Sequence, residues 1–288
     1  MANKNRLDAA FHEARPHLRA VALRLLGSVA DADDVVQDAW LRASQKDLTA
    51  IENLPGWLTT VVSRLCLDKL EARRRQGAEP WPEEGPRSVS PVTPEEQQLF
   101  AESVGLALLV VLERLSPLER VAFVLHDAFA LPFDEIAGVV DRSVVATKKL
   151  ASRARQRVYG APCSATVLRH REVVEAFLAA ARTGDVDALV AVLAPDVIRR
   201  ADPVARDDGT PSELRDADAV AKEIASNRAR AASASVVLVD GELGAVVAPF
   251  GKLRFVLRFT LSEERIAAFE VLGAKESLAP LELRILPA

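Results

Sequence analysis

The sequence is poor in the residues that build covalent staples and metal sites. Its 288 residues include two cysteines, Cys66 and Cys163, in neither a CxxC nor a zinc-type spacing. That excludes a disulfide scaffold and fits free thiols in a reducing cytoplasm. No run of about 18 apolar residues is present, so no membrane span is expected. The stretch MANKNRLDAAFHEARPHLRA lacks the apolar core of a signal peptide. Basic charge is not in excess either. The formal net charge is −4, which excludes a generally basic nucleic-acid coat and leaves local patches to make any such contact. A soluble cytoplasmic protein is expected, with a core of ordinary size, since 49% of the residues are hydrophobic.

The charge is unevenly spread. Residues 76–99 carry five acidic and one basic side chain, and QGAEPWPEEGPRSVSPVTPEEQQ (76–98) holds five prolines and two glycines. Such a stretch forms neither a regular helix nor a central strand and reads as an extended acidic linker. A second break, YGAPCSA, covers 159–165. Three segments result: 1–75, 100–160 and 167–288.

The first segment reads as helical. RLDAAFHEARPHLRAVALRLLG has apolar residues at helical spacing and a stop at Gly27. DADDVVQDAWLRA (31–43) follows, with Asp31, Asp33 and Asp34 placed to cap its N–H groups. Pro55 opens a third helix that Gly77 ends. Residues 100–160 read as helical too. Ser116, Pro117 and Glu119 have the spacing of a capping box. LPFDEIAGVV, the turn DRS and then RSVVATKKLASRARQRV give short helix, tight turn and basic helix, the order of a helix-turn-helix. Val145, Thr147, Leu150, Ala154 and Val158 are expected to face the preceding helices, with Ser143 as N-cap. Lys148, Lys149, Ser152, Arg153 and Arg155 then face outward, where they can meet phosphates and base edges.

Residues 167–288 change character. Helices are expected over LRHREVVEAFLAAARTGD, DVDALVAVLAPD and SELRDADAVAKEIASNRARA. Strands are expected over ASVVLVD, GAVVAPF, KLRFVLRFTL and RIAAFEVL. The expected fold is mainly α and multidomain, with two all-helical domains and a C-terminal α+β domain on a curved antiparallel sheet.

Residues 6–158, roughly, resemble the extracytoplasmic-function class of bacterial sigma-70 factors. The resemblance rests on GSVADADDVVQDAWLRA, LPGWLTTVVSRLCLDKLEARRRQ and LSPLERVAFVLHDAFALPFDEIAGVVDRSVVATKKLASRARQRV, in that order. It implies roles. Asp34, Gln37, Asp38 and Trp40 would dock on the β′ subunit of core RNA polymerase, with β and β′ as partners. Trp57, Thr60, Arg64, Asp68 and the basic end Arg73, Arg74 and Arg75 would melt and hold promoter DNA. Ser143, Lys148, Lys149, Ser152, Arg153 and Arg155 would read the upstream element. The linker would run toward the active-site cleft. Thr147 departs from the apolar β-branched residue usual at its position.

Residues 167–288 resemble the SnoaL-like branch of the nuclear transport factor two-like fold. In sigma factors with this extension it replaces a separate anti-sigma protein, so an intramolecular contact with the sigma domains is expected. Lys252, Arg254 and Arg258 would offer a basic strand face to the acidic linker. The usual linker motif survives in part as Trp81, Pro82 and Glu83, and the usual Gly-rich loop as Asp208 and Gly209. Catalysis is not expected, because this segment has no Tyr or Trp, His170 is its one His, and Asp196, Asp202, Asp240 and Glu242 lack an obvious partner. No cofactor or metal is expected. The alternative is a DNA-binding regulator that works without core polymerase and senses a ligand in its C-terminal cone; DADDVVQDAWLRA discriminates, since such a regulator needs no docking helix.

Overall fold

A computed structural model describes residues 2–49, 51–76, 105–160, 165–207 and 209–286. The expected linker motif with Trp81, Pro82 and Glu83, and also Gly77, Cys163 and Asp208, lie outside the described residues. The described chain forms two units. One draws on residues 1–79 and 112–157, the other on 80–111 and 158–288.

The first unit is helical. Helices α1 (Ala2–Leu26), α2 (Val29–Ser44) and α3 (Leu54–Arg75) pack together. Leu18, Val21 and Leu25 of α1, Val35 and Ala39 of α2, and Leu58 and Val62 of α3 are fully buried or nearly so. Each large apolar side chain so buried contributes about 1.5–3 kcal/mol. Gly27, at φ +65°, ends α1 in the left-handed region that glycine enters without strain.

The division between units falls inside α4 (Leu106–Glu113). Helix α5 (Pro117–Phe123) starts with the expected capping box: the Ser116 hydroxyl accepts from the Glu119 N–H, and the Glu119 carboxylate accepts from the Ser116 N–H. It runs into a wide turn, Val124–Ala128, before α6 (Phe133–Val140) and α7 (Val144–Tyr159). Helix α3 packs on both α5 and α6. The two helical segments thus share one compact unit.

In the second unit, α8 (Ala165–Thr183) and α9 (Val186–Val192) precede a seven-stranded sheet of order β2-β1-β6-β5-β4-β3-β7. The strands are β1 (Leu193–Ala201), β2 (Glu213–Arg215), β3 (Ala234–Val239), β4 (Glu242–Val247), β5 (Phe255–Ser262), β6 (Arg265–Leu272) and β7 (Leu283–Arg284). Helices α10 (Ala217–Ser226) and α11 (Arg228–Ala231) lie between β2 and β3, and α12 (Lys275–Leu278) between β6 and β7. Asp240 and Gly241, both at positive φ, form the β3–β4 turn, which suits the Asp-Gly pair.

Several expectations are corrected. The helix expected to run through LAPD ends at Val192, and Leu193 starts β1. The β1–β6 pair is parallel, so the sheet is not wholly antiparallel. Its register shifts between Leu193 and Ile198, and Pro195, which has no N–H for a ladder, sits in that irregularity. The third helix expected in this segment breaks at Asn227 into α10 and α11. The alternation expected from Lys252 holds on the inner face, where Leu253, Phe255, Leu257 and Phe259 are buried, but fails at Val256, also fully buried, and the strand starts only at Phe255, so Lys252 and Arg254 precede it; the rings of Phe177, Phe259 and Phe269 meet 5.3–6.0 Å apart.

Candidate nucleic-acid interface

The acidic start of α2 is built differently from the expectation. Ser28 is the N-cap, its hydroxyl accepting from the Asp31 N–H at 3.3 Å. The carboxylates, freed from capping, pair sideways. Asp33 takes two bonds from Arg19, at 2.7 and 3.2 Å. Asp31 pairs with Lys69 at 2.5 Å and with Arg73. Burial pushes the Asp31 carboxyl up, but hydrogen bonds with Lys69 and Ser28 and the charges of Arg73 and Lys69 outweigh it, leaving its pKa below the ordinary value.

What remains outward on α2 is a stripe. Asp34, Gln37 and Asp38 are exposed at helical spacing, and Leu41 continues the stripe at 43% exposure. Trp40 is half-buried and, with Gln37, lines a groove of about 320 Å³ between α1 and α2 whose other wall includes Phe11, His12 and Arg15. Sequence reasoning missed Leu41. The available signal was its place three residues beyond Asp38 on the same face.

Helix α3 sets Trp57, Thr60, Arg64 and Asp68 on one face, at spacings of three and four. Asn53 caps the helix by accepting from the Gly56 N–H. Lys46 sits 5.6 Å from the Trp57 ring, and the Thr60 hydroxyl donates to the Gly56 carbonyl. Arg64 donates to the Gly138 carbonyl of α6 at 2.6 Å. The basic end divides. Arg74 and Arg75 are exposed, whereas Arg73 turns inward to Asp31 and to the Leu26 carbonyl. Arg73 therefore braces α3 on the end of α1 and the start of α2.

Next to that brace, Arg120 of α5 is buried, and its Nε and Nη2 have no hydrogen-bond partner. Burial pushes its pKa down to about 10, against the opposing charge of Glu113. Cys66 of α3 is also buried, and burial pushes its thiol up to about 12.

The helix-turn-helix forms with one change of facing. Asp141 adopts the left-handed region, at φ 51°, and turns the chain out of α6. Ser143 caps α7 by accepting from the Ala146 N–H at 3.2 Å. Thr147, Ala151, Ala154 and Val158 form the buried edge, while Val145 is 65% exposed and Val144 39% exposed. The expected inward placement of Val145 is thus wrong: it lies two residues, roughly 200° of helix, from the buried Thr147. The Thr147 hydroxyl is satisfied by donating to the Ser143 carbonyl at 3.0 Å, which explains how it tolerates full burial.

The outward face carries Lys148, Lys149, Ser152 and Arg153, all exposed. Arg155 instead forms a two-pronged pair with Asp127, at 2.8 and 2.7 Å. Arg157 reaches the buried Glu119 at 2.9 Å. The C-terminal half of α7 is thereby fixed to α5 and the wide turn that follows it. Two exposed valines beside two lysines at the other end are a surface able to touch thymine methyl groups and phosphates together.

Residues 10–76 match Sigma-70 region 2, and residues 105–158 match Sigma-70, region 4. The chain belongs to the extracytoplasmic-function family of RNA polymerase sigma factors. It is 42% identical over 250 residues to the ECF RNA polymerase sigma factor SigJ of Mycobacterium tuberculosis, covering 83% of this chain and 80% of that one. It is 38% identical over 204 residues to the probable ECF RNA polymerase sigma factor SigI of the same species, covering 68% and 70%. The crystal structure of Mycobacterium tuberculosis SigJ overlays with a TM-score of 0.46 at 36% identity, covering 94% of this chain and 98% of that one. Among the described residues no helix is long and apolar enough to cross a membrane.

Proposed function

We propose that α2 docks the chain on the β′ subunit of core polymerase, that α3 melts promoter DNA and that α7 reads the upstream element. The observation that carries the docking face is the stripe of Asp34, Gln37, Asp38 and Leu41, which is exposed although Asp34 also lies 3.9 Å from Lys69, while Asp31 and Asp33 are taken up by closer internal pairs. An acidic stripe with one apolar residue complements a basic partner surface with a small apolar centre. Asp38→Arg reverses one charge in it and should cost several kcal/mol of binding, roughly, while helical content is unchanged. Core polymerase co-purification with wild type and variant tests this; equal recovery would reject the docking face.

The C-terminal unit we take as regulatory, through contact with the sigma segments, and as non-catalytic. Two of its four candidate carboxylates, Asp202 and Asp240, have structural duties. Asp202 accepts from the N–H groups of Ala205, Gly273 and Ala274, at 2.9, 2.7 and 2.7 Å. Asp240 accepts from the Glu282 N–H at 2.8 Å. Run-off transcription with and without residues 167–288 tests the regulatory part; identical output from both chains would remove it.

A further inference from the structure

Among the described residues the exposed large apolar side chains are Leu41, Val144, Val145 and Val204, and Val145, at 65%, is the most exposed of them. A single apolar side chain on a surface needs no explanation. Val145 differs in its setting. Val144 stands beside it, both open α7, and lysines follow within one turn. Neither valine serves the helix itself. Valine is a poorer helix former than alanine or lysine, and the first turn is where the helix dipole favours an acidic residue. Helix α7, VVATKKLASRARQRVY, contains no acidic residue at all.

Angular position along the helix sorts the exposed side chains. At about 100° per residue, Val145 and Ser152 lie within about 20° of each other and define one line along α7. This line faces away from the buried edge of Thr147, Ala151, Ala154 and Val158. Lys148 and Lys149 stand about 50° to either side of it, and Arg153 lies beyond Lys149. All five of these side chains are exposed. A helix in the major groove meets a phosphate strand on each flank and base edges along its centre. Cations on both flanks of an uncharged centre complement that surface.

The first turn is also held in place. The Ser143 hydroxyl accepts from the Ala146 N–H at 3.2 Å, and the Ser143 carbonyl accepts from the N–H and the hydroxyl of Thr147, at 2.9 and 3.0 Å. A valine on a helix keeps essentially one rotamer, so Val145 presents its two methyl groups at a fixed place and loses little entropy on contact. Valine neither donates nor accepts a hydrogen bond. The one apolar feature that a base shows in the major groove is the 5-methyl group of thymine, whereas the other bases show polar atoms that a valine would strip of water without replacement. We propose that Val145 is a specificity-determining residue that selects a thymine in the upstream element by packing on its 5-methyl group. The proposal rests on the reading of α7 as the helix that reads this element.

Deoxyuridine is thymidine without that methyl group and keeps every hydrogen-bonding atom, so it isolates the contact. The experiment uses holoenzyme and a promoter fragment that the holoenzyme selects from a pool randomised over the upstream element. Each thymine of the element, on either strand, is replaced in turn by deoxyuridine, and the affinity is measured. With the wild-type chain one replacement should weaken binding about fourfold, the worth of one methyl group withdrawn from water. With Val145→Ala, which an exposed position tolerates without loss of fold, the same replacement should change affinity by less than about 1.5-fold. Lys149→Ala should weaken binding to both fragments and keep the fourfold ratio between them. Wild-type affinity that is indifferent to every replacement overturns the proposal, and so does a methyl effect that survives in Val145→Ala. Failure of both Lys149→Ala and Arg153→Ala to weaken binding is a different result, since it removes the DNA-reading role of α7 itself and the proposal with it.

Discussion

Helix α7 carries five basic side chains, but the structure does not make them equivalent. Lys149 and Arg153 are exposed and have no acidic partner among the described residues, whereas Arg155 spends its guanidinium on Asp127. Each phosphate contact contributes about −0.9 to the slope of log affinity against log salt concentration. Raising salt from about 50 to about 200 mM spans about 0.6 log units, so one lost contact makes the salt-induced loss of affinity smaller by about 3.5-fold. Lys149→Ala and Arg153→Ala should each show that change, and the double variant about twelvefold. Arg155→Ala should leave the slope nearly unaltered and instead lower thermal stability by about 1 kcal/mol, the worth of a partly exposed pair. The assay is binding of the holoenzyme to a fragment of the protein's own upstream region across a salt series. The reasoning fails if the Lys149 and Arg153 variants keep the wild-type slope, or if Arg155→Ala alone lowers it.

Three further outcomes are expected. Arg120→Met leaves the Glu113 charge without its counter-charge and should lower the urea midpoint of the full chain, by about 3–5 kcal/mol in stability; a raised midpoint counts against that pairing. Because the Asp31 carboxyl titrates below its ordinary value in the folded chain, its stabilisation is present above an unfolded pKa near 3.8 and is lost as pH falls through the folded one. Asp31→Asn should therefore destabilise at neutral pH and flatten the acid limb of the stability profile, which a pH series of thermal melts measures. Cys66, with its thiol pushed up to about 12, should resist alkylation at pH 8 until the chain is unfolded.

How far the sequence carried depended on the range of the signal. Local signals were legible: Ser116, Pro117 and Glu119 lie within four residues of one another, and their capping box is present as read. The Ser28 cap was obscured by the aspartates behind it, whose partners Arg19, Lys69 and Arg73 are distant in sequence. Strand β1 was missed because LAPDVIRRA follows directly on an apolar helix, contains Pro195, and pairs in parallel with a strand some 70 residues later. Nothing local marks Arg199 as buried and its neighbour Arg200 as exposed; Glu223, 24 residues on, decides it. On α7 the period and phase were right at Thr147, Ala154 and Val158, and failed at Val145, which was placed inward for its apolar side chain although it lies roughly 200° of helix from Thr147.

The ion pairs Arg155–Asp127 and Arg157–Glu119 lie at one end of α7, while the other is held by the packing of Thr147 and Ala151 and the Lys148 contact with the Phe133 ring. Lys148 stands seven residues from Arg155, about 10 Å along the axis at 1.5 Å per residue. The helix thus has its ion-paired anchors remote from the tip that carries the exposed valines. A tilt of about 5° at the pinned end displaces the tip by about 1 Å, a third of a hydrogen-bond length. Asp127→Asn, at a residue placed far from the exposed valines, should consequently blur discrimination between bases more than it weakens total binding. Comparing affinities for single-base variants of the upstream element separates the two effects, and a uniform loss across all variants would show that the tip does not pivot there.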